Sequence, residues 1–295
     1  MSANQNLLDE CHFPARATVV DLAVSGGPDS LGLLLLALDA GLVVTAHHVD
    51  HHARPRSSDD AAHVQTICED LGVEFVRHDV VVTPGPNFES RARSARRRVM
   101  PHTVMTGHTM DDLVETILLN MLRGAGLDGL TPMIGDPTKP LRDVRRNDLH
   151  FYVSLSGVQP LYDESNENMD FRRNRVRHEL VAVLDEVAGR DVVPILARQA
   201  ALMFEERAWL SEMSAPDLAL RLIDADCREL ASWPNARLRR WLRAQLTHFD
   251  RGDGTHPPSA DEVQRAIAVV RGEAVATELS GGRRLSRRAQ RLTLE

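Results

Sequence analysis

The sequence predicts an α/β chain: a Rossmann-like parallel sheet with helices on both faces, then a helical region and a small C-terminal α+β domain. Three observations carry this. Short β-branched apolar runs at 19–24, 42–49 and 73–81 alternate with helical segments, and strands separated by helices make parallel sheets with right-handed crossovers. Leu22-Ala23-Val24 leads through Ser25-Gly26-Gly27-Pro28 into a leucine-rich helix from Ser30, a strand–turn–helix unit in which glycine supplies conformations closed to other residues. Beyond residue 192 the periodicity is helical until a last group of short strands. The expected division is an N-terminal domain over 1–190, a connecting helix over 191–215 and a small domain over 216–295.

The bulk numbers set limits. A chain of 295 residues, 43% apolar and 26% charged, has the composition of a globular protein with a sizeable core. No apolar run approaches the ~20 residues of a membrane helix, and residues 1–10 lack the pattern of a signal peptide, so a cytoplasmic protein without a membrane partner is expected. Cys11, Cys68 and Cys227 form no CxxC pair, which fits a reducing compartment and small buried hydrophobes. A net charge of −7 argues alone against a nucleic-acid partner. Its distribution argues otherwise. Arginines cluster at 91–98, 172–177, 237–243 and 283–291, whereas Lys139 is the single lysine, and clustered guanidiniums suit phosphate.

The first strand, turn and helix N-terminus form an anion site, because N–H groups point outward there and the helix dipole favours negative charge. An ordinary turn accounts for Gly26-Gly27 but not for two hydroxyls and a carboxylate. There is no Walker A lysine and no third glycine of a dinucleotide loop. Asp29 beside phosphates calls for a magnesium ion between them. The second strand ends in His48-Val49-Asp50-His51-His52, too dense on an alternating strand to make a zinc cage and suited to lining a nucleotide pocket. A helix over 57–71, the third strand, a loop with Pro84, Gly85 and Pro86, and an arginine-rich helix from about 88 follow. A fourth short strand over 103–106 then opens into Gly107-His108-Thr109-Met110-Asp111-Asp112 and a helix over 110–122. His108, Asp112 and Glu115 share one face of it; a capping box explains one acid only. Ligands bind at the carboxyl ends of parallel strands, which gathers 25–30, 48–54 and 107–112 around one crevice.

Downstream come the glycine-rich 120–130 segment, Lys139-Pro140-Leu141-Arg142, a helix over 144–156, a turn at Asp163-Glu164-Ser165-Asn166, and Phe171-Arg172-Arg173-Asn174-Arg175-Val176-Arg177 opening another helix. Helices are expected over 194–213, 234–246 and 259–270, then strands over 274–279, 283–286 and 291–294 with a Gly281-Gly282 turn.

Ser-Gly-Gly-x-Asp-Ser resembles the pyrophosphate loop of the N-type ATP pyrophosphatases, the adenine nucleotide alpha hydrolase-like fold. Together with GHxxDDxxET, RGxGLxGL, Lys-Pro-Leu and DxSN…RNxxR, in this order over roughly 19–184, it resembles the short form of the tRNA(Ile)-lysidine synthetases. The resemblance implies a ligase that adenylates the wobble cytidine of tRNA(Ile) with a CAU anticodon and attaches L-lysine, forming lysidine and releasing AMP and pyrophosphate. It further implies that Ser25, Gly26, Gly27, Pro28, Asp29, Ser30, His48, Gly107 and His108 bind ATP, and that Asp29 and Asp112 hold Mg2+. Asp29, Asp112, Glu115 and Arg177 would carry the catalysis, with Arg173 in support, and a homodimer is possible. Three positions depart from the family pattern: Leu113 replaces glutamine, Lys139 replaces arginine, and the 97–102 segment is short. The rival readings are another adenylating tRNA enzyme such as a thiolase, which would call for paired cysteines, and a non-catalytic ATP- or tRNA-binding module. For the 237–243 arginines, tRNA contact and a solvated helix face over a Trp233 and Trp241 core weigh equally.

Overall fold

The computed structural model describes residues 3–50, 57–81, 91, 95, 96, 98–162, 168–223, 225–249 and 257–295. The 84–86 loop, most of the helix expected from 88, the 163–166 turn and His51 and His52 lie outside them. The chain divides into two compact units, Met1–Phe204 and Glu205–Glu295.

In the first unit a short helix, α1 (Ala3–Asp9), precedes β1 (Val19–Ala23), α2 (Pro28–Asp39), β2 (Val43–Asp50), α3 (Ser57–Asp70) and β3 (Glu74–Asp79). The strands run parallel in the order β1-β2-β3, with Val19 opposite Val43 and Thr45 opposite Glu74. The expected fourth strand shrinks to one bridge, Leu22 with Met105. Met105 N–H donates to Asp21 O at 2.8 Å and Met105 O accepts from Ala23 N–H at 2.9 Å. The next donor, Thr106 N–H, turns away to Thr138 O at 3.0 Å, so the ladder stops where its donors find other partners.

Helix α2 starts at Pro28, two residues before the expected Ser30. Proline fits the first helical position, where its missing N–H costs nothing. Leu31, Leu33, Leu34 and Leu36 are fully buried. Gly32 permits the close approach of α5 (Arg146–Leu155), because a Cβ there would lie 2.5 Å from Leu149 Cδ1. Between them in sequence, α4 (Met110–Met121) begins with a capping box in which Thr109 and Asp112 satisfy each other's backbone N–H groups. Residues 172–188 form one helical stretch: α6 (Arg172–Arg175), a π-helical turn (Val176–Leu180) and α7 (Val181–Ala188), closed by Gly189 at φ 64. The π turn carries no signal in the sequence, and such turns concentrate at functional sites. Leu113 is buried among Val114, Ile117, Val176 and Val193. This departure from the family pattern is a core residue.

Helix α8 (Val193–Ser214) runs across the unit boundary. The second unit packs α9 (Cys227–Ala231), α10 (Asn235–Phe249) and α11 (Ala260–Arg271) with an antiparallel sheet of β4 (Ala276–Leu279), β5 (Arg283–Arg288) and β6 (Arg291–Leu294). Trp233 and Trp241 meet edge to face at 6.0 Å in its core. Arginines of the 237–243 cluster are engaged within this unit. Arg237 pairs with Asp217 at 2.6 Å and stacks over Trp233 at 3.8 Å, Arg239 donates to Gln264, and Arg240 to Ser211. Cys68 and Cys227 are buried. Among the described residues no helix is long and apolar enough to cross a membrane.

The β5–β6 hairpin turns on Ala289 and Gln290, at φ 47 and 66. Two positive φ angles at the centre of a two-residue loop match the geometry that favours Asn-Gly, and Ala289 has neither the freedom of glycine nor a side chain able to bond locally. Ala289→Asn is therefore expected to stabilise the protein by about 0.5–1 kcal/mol, read as a higher midpoint in urea at unchanged slope.

Candidate active site

The loop after β1 is held by its own residues. Val24 N–H donates to His47 O at 2.9 Å, and the buried His48 ring lies 2.8 Å from Val24 O through Nδ1. Gly26 sits at φ +90, where a Cβ would lie 2.5 Å from Leu161 Cδ1. Ser30 Oγ accepts from Ser25 N–H at 3.2 Å and Gly26 N–H at 3.1 Å, and donates to Gly27 O at 2.9 Å. Its hydroxyl thus stitches the turn onto the first turn of α2. Gly107 closes the other side: a Cβ on it would lie 2.4 Å from the Asp29 carbonyl oxygen, so the second motif rests directly on the first.

Three carboxylates and three guanidiniums meet beside this loop. Asp112 Oδ1 takes Arg146 at 3.0 Å and Arg173 at 2.9 Å, with Arg177 at 3.6 Å. Glu115, 2% exposed, accepts from Arg146 at 3.0 Å, Arg173 at 2.8 Å and Arg177 at 2.7 Å. Asp29 lies 2.7 Å from His150 Nε2 and 4.0 Å from Arg146 Nε. Burial alone would push the Asp112 carboxyl up, but Arg146 and Arg173, helped by His108 and the Thr109 N–H, hold it down at about 2. The same acids raise Arg146 against its own burial. Asp111 faces the other way, accepting the Arg146 backbone N–H at 2.8 Å and pairing with Arg145 at 3.2 Å. It joins α4 to the start of α5.

Of the residues expected from sequence, Ser25, Asp29, Ser30, Gly107, His108 and Asp112 line one cleft of about 450 Å³. Arg173 lines it too, while Glu115 and Arg177 belong to the network around Asp112. His108 Nδ1 is 2.6 Å from Thr106 Oγ1, which accepts from Lys139 Nζ at 2.7 Å. Sequence reasoning missed four residues: His47 and Arg96, which line the cleft, and Arg146 and His150. His47 stacks on His78 and bonds Asp21 at 2.8 Å. Arg146 did carry a signal. It opens α5, and a cation at the positive end of a helix is locally unfavourable, so it implies an acidic partner nearby. His150 follows at i+4 on the same face.

Among the described residues no group of three or more His, Cys, Asp or Glu could hold a metal ion. Asp29 and Asp112 nevertheless face the same cleft. Magnesium takes one or two carboxylates together with substrate phosphates and water, so this donor set fits an ion that arrives with a nucleotide rather than a metal centre complete in itself.

The family model described as the PP-loop domain matches residues 2–184. A tRNA(Ile)-lysidine synthase from Nocardia farcinica is 34% identical over 271 residues, covering 88% of this chain and 84% of that protein. One from Thermobifida fusca is 35% identical, covering 78% and 77%. The chain belongs to this family. Among solved structures, the U34-tRNA thiolase NcsA of Methanococcus maripaludis, described with its [4Fe-4S] cluster, superposes with a TM-score of 0.56 at 15% identity, covering 68% of this chain and 78% of that one. This likeness supports the fold alone.

The family's acidic helix is thus held here by arginine. Arg146→Met should destabilise the protein by about 1.5–3 kcal/mol, since it removes one charged hydrogen-bond partner each from Asp112 and Glu115, which keep Arg173 and Arg177, and Arg146→Lys should recover part of the loss in a urea titration. Asp112 contributes to the acid limit. Its contribution, about 2 kcal/mol, is full above the ordinary carboxyl value of 3.8 and is lost as pH falls to about 2. Asp112→Asn should therefore lower stability at neutral pH and flatten the acid limb, as followed by thermal melts from pH 6 to 2.

Proposed function

We propose that the chain is the ligase of lysidine formation, acting on ATP, L-lysine and tRNA(Ile) with a CAU anticodon. The observation that carries the reading is the convergence of the Ser25–Ser30 loop and the Asp112 helix on one cleft, in a member of this family. The C2 oxygen of the wobble cytidine attacks the α-phosphate of ATP, and pyrophosphate leaves. The lysine amine, having lost a proton, then attacks C2, and the oxygen departs with AMP.

The residues divide this work. The turn over the N-terminus of α2 receives the phosphates, where the helix dipole and outward N–H groups favour the charge that grows on leaving pyrophosphate. Ser30 keeps that turn in shape. Asp29 and Asp112 would hold magnesium, which would neutralise the phosphates and leave the α-phosphorus more open to attack. His48, beneath the loop, and Gly107 and His108, across from it, shape the adenosine end. Arg173, on the cleft wall, faces the transferred phosphate, and Glu115 orients Arg173 and Arg177 rather than meeting solvent. The cytidine reaches this cleft by unstacking, as bases in single-stranded loops do. A sulfur-transferring alternative finds no paired cysteines in the sequence.

The test incubates the protein with ATP, Mg2+, labelled lysine and a tRNA(Ile) transcript carrying CAU. Lysine-dependent AMP release and transfer of label to the RNA are expected, and their absence would remove the proposal. Asp29→Ala should abolish AMP formation while its melting curve stays near that of the parent protein; undiminished turnover would refute the metal assignment.

A further inference from the structure

Helices α4 and α6 continue past the catalytic carboxylates, and their far ends enclose a second concavity of about 520 Å³. Its walls are apolar: Leu119 and Leu122 from α4, and Val176, Leu180 and Val183 from the π turn and α7. Leu122 is 73% exposed and Val183 53%, an apolar surface left open to water. Its rim carries three guanidiniums, Arg123, Arg172 and Arg175, and one carboxylate, Glu179, which pairs with Arg175 at 3.0 Å, so the rim is net positive. The two helices therefore serve two clefts. Asp112, Glu115, Arg173 and Arg177 turn to the active site, while Leu119, Leu122, Arg172 and Arg175 turn to this groove.

We propose that the groove takes an unstacked base of the substrate RNA next to the cytidine being modified, with the rim arginines on its flanking phosphates. This rests on the tRNA reading above. Two observations favour single-stranded RNA as the occupant. The groove and the active-site cleft are built on the same helices: Asp112 lines the cleft and Leu119 the groove, roughly 10 Å apart along α4 at the helical rise, and the adjacent Arg173 and Arg172 line cleft and groove in turn, a separation within reach of nearby nucleotides in an extended strand. Its charge is also complementary, because guanidiniums meet phosphate while the aliphatic floor packs against a base face whatever its identity. Gly124 and Gly126 beside Arg123 leave open space at the rim, since a Cβ on either would touch nothing.

The experiment measures binding of an RNA anticodon stem-loop carrying CAU to the wild type, to the double variant Arg172→Ala/Arg175→Ala and to Leu122→Gln. All three positions are exposed, so the fold is expected to survive. The double variant should bind the RNA roughly fivefold or more weakly, with a salt slope shallower by about 1.4 for two lost phosphate contacts. Leu122→Gln should weaken binding by roughly fivefold through lost apolar contact, with the salt slope unchanged. ATP affinity should not change in either. Wild-type RNA affinity in both variants overturns the groove, as does a change in sedimentation without a change in RNA binding, which would make the surface a contact between copies. Lysine attachment by the wild type is scored in the same preparation, so loss of the groove and loss of the enzymatic reading are separate results.

Discussion

The guanidinium of Arg146 is the contact on which the site depends. It sits at the start of α5 and reaches Asp112 and Glu115 on α4, with Asp29 on α2 at 4.0 Å. Three helices that are distant in sequence are thus fixed around one largely enclosed cation. The phosphate loop hangs from α2 and the acidic motif opens α4, so the distance between the two halves of the site follows from how this side chain is held. Arg173 and Arg177 complete the arrangement from the helical stretch that follows α5. Burying such charges is costly, and the gain lies in geometry: the carboxylates are aimed at one place.

Much of this architecture was legible in the sequence because it is written in local signals. Strands β1 to β3, the turn at Ser25–Ser30 and the capping box before α4 each follow from periodicity, glycine placement or a side chain bonding its own neighbours. The misses have a common cause: what decided them is not local. Residues 103–106 look like a strand, but the destination of Thr106 N–H lies at Thr138. The hairpin turn at Ala289 and Gln290 lacks glycine, so its strain is imposed by the β5–β6 pairing rather than announced by composition. Glu115 was readable as an acid on the crevice face; that both of its oxygens are taken by arginine required three other segments to be in place.

The role of the RNxxR segment changes in the same way. Read along the chain, its arginines form one basic cluster suited to phosphate. In the fold the helix divides them, with Arg173 and Arg177 drawn to Glu115 and Arg172 and Arg175 left on the opposite side. The π turn begins between Arg175 and Arg177. A turn of this kind inserts an extra residue into the helical repeat and shifts the faces beyond it, so Val176, Leu180 and Val183 reach the groove while Arg177 reaches the carboxylates.

Charge balance explains why an acidic site can receive a polyanionic nucleotide. Asp29, Asp112 and Glu115 alone would repel ATP. Arg146, Arg173 and Arg177 cancel it before any ligand arrives. The compensation is uneven, however. Glu115 is fully enclosed, whereas Asp29 is about a third exposed and holds only the edge of Arg146 and His150. The least committed acid is therefore the one beside the phosphate loop, where a divalent ion carried in with the nucleotide has the least to displace. The same gradient leaves the arginines farther in still paired to Glu115, so the site can change partners at its mouth without losing the contacts that hold its helices together.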